Sequence, residues 1–388
     1  MLILLKILLG CGILLRFNKD GKFKIMQIAD ALEIPRVSPD TISLIESALD
    51  SEKPDLVIFT GDQIKGYSLR YKNHPERVNK VIDLLVRPIV QRNIPFMVTY
   101  GNHDEECGLT KKEQFEIYKK YKTFLQGNIR DDNDVGTADI QIKSSKADTD
   151  AFNIYLFDSH GKKPRSKGYA PVYSEQLEWY EQRREELKQL NGQYVPALAF
   201  QHIPVPEIYS VVNFVERKRY NGVPIYGGSH DGEYVRLKQS TIEAGGFMGE
   251  FPSPPDTNSG EFDKLSQKGD VIGLYFGHDH VNSFVEKLRN VDLGYTQGCG
   301  FNSYGKGENK GVRVFVLDEN SPREYKTYTR TFKDLVGTDV KNKFKDFIYT
   351  HSPTSKMQLM AGILKLLIVI CTVLIAYFGY EFLTGFNL

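Results

Sequence analysis

Cysteine is scarce in this chain. Of four in 388 residues, Cys11 and Cys371 lie in apolar runs, which leaves only Cys107 and Cys299 in the globular part. With no CxxC spacing, a disulfide framework is excluded; two free thiols and a reducing compartment are expected. An excess of charge of one sign is also missing. Lys plus Arg number 50 against 49 Asp plus Glu, and no long like-charged block occurs. The chain therefore has no overall field to attract nucleic acid, and none is expected as a partner. Internal repeats and low-complexity tracts are absent too. With 41% hydrophobic residues, the chain is not disordered and can bury a large core, as one α/β domain or two small ones.

Long apolar runs occur only at the two ends. Leu359 to Phe378 has about the length of a bilayer crossing and is interrupted only by Lys365, which can snorkel to the interface. From Leu366 to Tyr380 the apolar residues cover all helix faces, so a C-terminal transmembrane helix over 359–380 is expected. Lys341, Lys343, Lys345, Lys356 and Lys365 precede it and only Glu381 follows. That bias puts the globular domain on the cytoplasmic side of a membrane. The domain scheme is a short apolar segment at 1–12, a catalytic domain at 13–335, a linker at 336–358, the helix, and a tail at 381–388. The first run, Met1 to Leu15, has no basic start and no small-residue cleavage pattern, which makes it a poor signal segment or short anchor. Its end, Ile13 to Phe17, is read as a strand joined through Asn18-Lys19-Asp20-Gly21 to Phe23–Ala29 in a hairpin.

Between the ends, apolar and β-branched runs recur at Phe23–Ala29, Leu56–Thr60, Pro95–Tyr100, Phe152–Phe157, Val195–Phe200 and Val271–Phe276. Several are continuous, as in strands buried on both faces. Helical patterns at Pro39–Ser51 and Pro75–Arg92 separate the first three, which implies parallel crossovers. A capping box, Thr110 with Glu113, opens another helix, and a further one runs from Ser174 to about Leu190. After 280 the pattern changes to alternating strands, Val312–Leu317 and Tyr325–Phe332, suited to an antiparallel edge or second sheet. The stretch 203–269, rich in Pro, Gly, Ser and Tyr, reads as long functional loops.

Five short segments follow those strands: Asp30; Gly61-Asp62; Gly101-Asn102-His103-Asp104; His202; and Gly277-His278-Asp279-His280. Parallel α/β sheets form ligand sites at the carboxyl ends of their strands, so these residues should meet at one edge. Carboxylate bridges cations, neutral imidazole binds through one nitrogen, and an Asn carbonyl adds a ligand without charge; such mixed sites suit Fe, Mn or Zn. Two cations about 3.5–4 Å apart activate water and clamp a phosphoryl oxygen. Asp62 is the expected bridge, Asn102, His202 and His278 complete one metal, and Asp30 with His280 hold the other. His103 is placed to protonate the leaving alkoxide, with Asp104 to orient it.

These motifs match the signature of calcineurin-like metallophosphoesterases. FKIMQIAD, EKPDLVIFTGDQI, FQHIPVPE, TNSG at 257–260, GHDHVN and GCGFNSYGK at 298–306 resemble the small single-domain branch of purple acid phosphatases, over about residues 13–332. The resemblance implies a central β-sandwich flanked by helices (α/β/β/α), two metal ions and hydrolysis of phosphomonoesters by a metal-bound hydroxide. One position departs from the pattern. The first motif of that family reads Asp-x-His, whereas here it reads Asp30-Ala31-Leu32, so the metal of Asp30 and His280 loses an imidazole, with water or Glu33 to fill the gap. Coloured members carry a Tyr three residues after the GD aspartate, where this chain has Lys65, so no purple colour is expected. The alternatives are a pseudo-phosphatase that keeps one metal as a binding module, and a phosphodiesterase or lipid phosphatase.

Overall fold

The computed structural model describes residues 13–163, 168–216, 222–354 and 356–385. The apolar segment expected at 1–12 lies outside the described residues. Five strands position the site: β1 (Lys22–Ile28), β2 (Leu56–Thr60), β3 (Phe96–Thr99), β4 (Ala197–Phe200) and β5 (Val271–Phe276). The continuous apolar runs become strands buried on both faces, and β2 and β5 are buried at every residue.

β1, β2 and β3 run parallel in a five-stranded sheet, with the antiparallel strands Gly311–Asp318 and Tyr325–Thr331 added beyond β1. The alternating segments thus form the edge of the first sheet. β4 and β5 are parallel neighbours in a nine-stranded sheet that also holds Asp134–Lys143, Asp150–Leu156, Val291–Tyr295 and Asn282–Leu288. The strand period of two decides which residues meet. On β2, Leu56 and Ile58 join Ile25, Ile154, Leu198, Phe200 and Tyr275 in a core between the sheets. Val57 and Phe59 point the other way, to the helices α1 (Pro39–Glu52) and α2 (Arg77–Gln91) through Leu44, Ile45, Val81 and Ile82. On the far side, α3 (Ser174–Asn191) covers the nine-stranded sheet with Leu177 and Tyr180 against Tyr155, Ala197 and Leu274. The α/β/β/α sandwich is therefore present.

Two expectations are corrected. The hairpin does not form: Leu15–Arg16 pairs in parallel with Ile142 and Lys143 of the nine-stranded sheet, while β1 belongs to the other sheet. The Asn18–Gly21 turn exists, but it carries the chain from one sheet to the other, because Phe17 and Phe23 both bury in the core between them, ring centroids 5.9 Å apart.

The second correction concerns the C-terminus. The segment is helical, Lys356–Gly385, but among the described residues no helix is long and apolar enough to cross a membrane. The transmembrane helix over 359–380, the membrane as partner and location, and the cytoplasmic orientation argued from flanking lysines are thus not upheld. Residues 1–350 and 351–388 form two compact units. Cys107 and Cys299 are free and buried, as their spacing suggested.

Candidate metal centre

Each proposed ligand sits in a sharp turn just past the end of one of the five strands. Asp30, Leu32, Asp62 and His278 have φ of 52°, 41°, 53° and 73°. Asp and His tolerate this left-handed region better than most side chains, whereas a bulky Leu is unusual there. The preceding glycines are needed for close approach: a Cβ on Gly277 would lie 2.7 Å from Asp30 Oδ2, and one on Gly61 2.6 Å from the Gly101 nitrogen. The turns are also tied together. Asp30 N–H donates to Gly61 O (3.2 Å), Leu32 N–H to Asp62 O (2.8 Å), and Gly277 N–H to His202 O (3.1 Å).

Asp104 has a different part from the one its sequence position suggested. Its buried carboxylate accepts from the N–H groups of Asp62 (2.8 Å), Gly101 (2.8 Å) and Ile64 (2.9 Å), which locks the β2 and β3 turns in register. With both oxygens so engaged, it does not orient His103. Glu106 does, with Oε2 2.6 Å from His103 Nδ1. Burial alone would lower the His103 pKa, but the Asp62 and Glu106 carboxylates outweigh it and raise it.

The structure brings the other predicted residues together. One oxygen of each aspartate is pinned by backbone: His278 N–H to Asp30 Oδ2 (3.0 Å) and His103 N–H to Asp62 Oδ1 (2.9 Å). The remaining oxygens face the imidazoles. His202 Nε2 lies 3.3 Å from Asp62 Oδ2, 3.2 Å from Asn102 Oδ1, 3.2 Å from His278 Nδ1 and 4.0 Å from Asp30 Oδ1. His280 Nε2 lies 3.5 Å from Asp30 Oδ1, and Asp30, Asp62 and His280 each offer a ligand atom within 4.8 Å of the others. His202 Nδ1 faces Thr60 O (3.0 Å) and His280 Nδ1 faces Tyr304 O (3.3 Å), which leaves each Nε2 free to ligate.

This donor set fits cations. Asp30 Oδ1 is buried without a hydrogen-bond partner, and His202 Nε2 and His278 Nδ1 face each other at 3.2 Å, donors that a cation would satisfy once His202 gives up its proton. Burial, opposed by His202, pushes Asp30 up to about 8. For His202, burial is overcome by Asp62 and Asp30, which draw a proton on and raise it to about 10. His278 is held well below the usual range by burial and by His202, and His280 down to about 3 by burial and by Lys310. Both thus keep a free lone pair for a metal.

Leu32 is fully buried, yet belongs to none of the three apolar cores. Glu33 does not fill its place: the carboxylate accepts from Ser38 N–H (3.0 Å), from Thr41 Oγ1 (2.6 Å) and from Asn302 Nδ2. Sequence reasoning missed a ring of aromatic and acidic neighbours. Tyr304 stacks on His280 at 4.1 Å and donates to Glu250 Oε2 (3.0 Å); Tyr169 meets His278 edge-on at 4.7 Å, and Tyr67 meets His103 at 4.6 Å. Tyr304 lies within the GCGFNSYGK segment, but Tyr169 and Glu250 carry no local signal.

The calcineurin-like phosphoesterase family matches residues 23–282. Two Arabidopsis thaliana proteins are 29% identical to the chain. One, named probable inactive purple acid phosphatase 14, aligns over 77% of this chain and 76% of its own; the other, probable inactive purple acid phosphatase 29, over 80% and 81%. Among solved structures, a dimetal phosphatase from Danio rerio covers 80% of this chain and 99% of its own, with 12% identity and a TM-score of 0.47. The five-strand constellation and the family match over most of the chain lead to one conclusion: this protein belongs to the calcineurin-like phosphoesterase family, a phosphoric ester hydrolase similar in sequence to purple acid phosphatase-like proteins.

Proposed function

We propose that the protein is a phosphomonoesterase with two unequal metal sites. The observation behind this reading is the convergence of six donor side chains from five strand ends, with an orphaned Asp30 oxygen at their middle. Asp62, Asn102, His202 and His278 would hold one ion, and Asp62, Asp30 and His280 would hold the second, where Leu32 supplies no donor. Bound Fe, Mn or Zn ions supply Lewis acidity and an acidified water. Around them, Asp104 fixes the turns that carry Asp62 and Asn102, and Thr60 O and Tyr304 O hold the imidazole tautomers. His103, whose pKa the Asp62 and Glu106 carboxylates raise against burial, would deliver a proton to the leaving oxygen.

The test is hydrolysis of p-nitrophenyl phosphate, with Mn²⁺, Fe or Zn²⁺ added to metal-free protein. Turnover should rise with metal and be lost in Asp62→Ala; equal rates in the two proteins would sink the reading. A second reading, a one-metal binding module, is favoured by Leu32 alone. One tightly held ion per chain without turnover identifies it.

A further inference from the structure

The rim beside Tyr67 carries cations that the reaction above does not use. Lys65 Nζ donates to Asn302 O (2.8 Å), and Lys345, on the helix Lys343–His351, donates to Asn302 Oδ1. Lys65 Nζ lies 5.4 Å from the Tyr67 ring and 5.1 Å from the Tyr349 ring; Lys345 Nζ lies 5.7 Å from Tyr349. This cluster abuts the metal centre by two routes. Tyr67 packs on His103, ring centroids 4.6 Å apart. Ser303, next to Asn302, has its Oγ 3.5 Å from His280 Nδ1.

The charge there is unbalanced. Arg36 and Arg70, both exposed, add to the positive field at Lys345. Two carboxylates oppose that field, Glu33 at both lysines and Asp40 at Lys345, but neither pairs with an ammonium there: Glu33 accepts from three neutral donors and Asp40 from Lys341 N–H at 3.2 Å. Among the described residues neither Lys65 nor Lys345 forms an ion pair; both ammonium groups rest on neutral oxygens of one asparagine. Burial and then Lys345 push Lys65 down to about 8, a mutual repulsion that an anion between them relieves.

We propose that Lys65 and Lys345 form a subsite for a second phosphate group, so that the favoured substrates are small molecules bearing two or more phosphates, one of them placed on the metal centre. The inference rests on the phosphatase reading of that centre and specifies its substrate class. Lysine suits the task as a mobile point charge for phosphate, and the Tyr67 and Tyr349 rings flank Lys65 at 5.4 and 5.1 Å.

The experiment compares p-nitrophenyl phosphate with fructose 1,6-bisphosphate in wild type, Lys65→Gln, Lys345→Gln and the two Lys→Arg variants. Each Gln variant should raise KM for the bisphosphate about tenfold more than KM for the monophosphate, as loss of a charge-assisted bond predicts. Arg should restore most of the preference. Equal changes for both substrates, or no change, overturn the proposal. Should a Gln variant fail to fold, inhibition of wild-type turnover decides: inorganic pyrophosphate must inhibit more tightly than orthophosphate, with a steeper salt dependence. If wild type hydrolyses neither ester, the phosphatase reading fails by itself. Calorimetry with the bisphosphate then tests the subsite alone, and binding that Lys345→Gln does not weaken refutes it.

Discussion

Replacing Leu32 by histidine restores the missing donor, and its effect on the metal-free protein can be worked out in advance. Leu32 is fully buried, so its removal forfeits about 1.5–3 kcal/mol of apolar burial. An imidazole left there without a partner costs a further ~1–3 kcal/mol. The backbone is no obstacle, because φ of 41° lies in a region that histidine accepts more readily than leucine. Metal-free Leu32→His should therefore be less stable by about 2.5–6 kcal/mol. For a chain of this size that means melting roughly 3–7 °C lower. Metal reverses the sign. Binding at a hundred times Kd returns about 2.7 kcal/mol, and at a thousand times about 4.1 kcal/mol. The gap between the proteins should close as Mn²⁺ is titrated, with ion content rising towards two per chain and turnover with it. Differential scanning calorimetry across a metal series, with elemental analysis of the same samples, provides the check. If the variant shows the same ion content as wild type and a melting deficit that metal does not shrink, position 32 does not face the second metal and the unequal-site account is wrong.

Two further perturbations probe the frame. Gly277→Ala places a Cβ 2.7 Å from Asp30 Oδ2 and 3.1 Å from Ala29 Cβ. It should displace Asp30 and cut metal-dependent turnover at least tenfold while far-UV circular dichroism is retained; wild-type activity would show that the tight approach is not needed. Glu261 is not among the ligands, and burial raises its carboxyl to about 8, with Gln201 opposing and Glu207 adding. Its folded value is above the unfolded one of 4.5, so its favourable contribution is complete below pH 4.5 and is lost as pH rises towards 8. The melting temperature of Glu261→Gln should gain on wild type between pH 5 and pH 8. Parallel curves would refute the assignment.

The sequence by itself determined the strands and what they carry. Continuous apolar runs 4–7 residues long, separated by amphipathic stripes, leave little choice but buried parallel strands, and a polar motif follows each of the five that position the site. Asp30, Asp62, Asn102, His202, His278 and His280 were legible because each follows its strand at short range. What only the tertiary structure decided were long-range matters. Leu15–Arg16 joins the far sheet because Phe17 and Phe23 share one core. Asp104 binds backbone rather than His103 because two turns from different strands present three N–H groups to it. Tyr169, against His278, and Glu250, which Tyr304 reaches, lie outside the five motifs, and no local pattern records such a meeting. The C-terminal run shows the converse: apolar composition predicted a bilayer span, but a span requires an uninterrupted apolar helix of sufficient length, and among the described residues none has it.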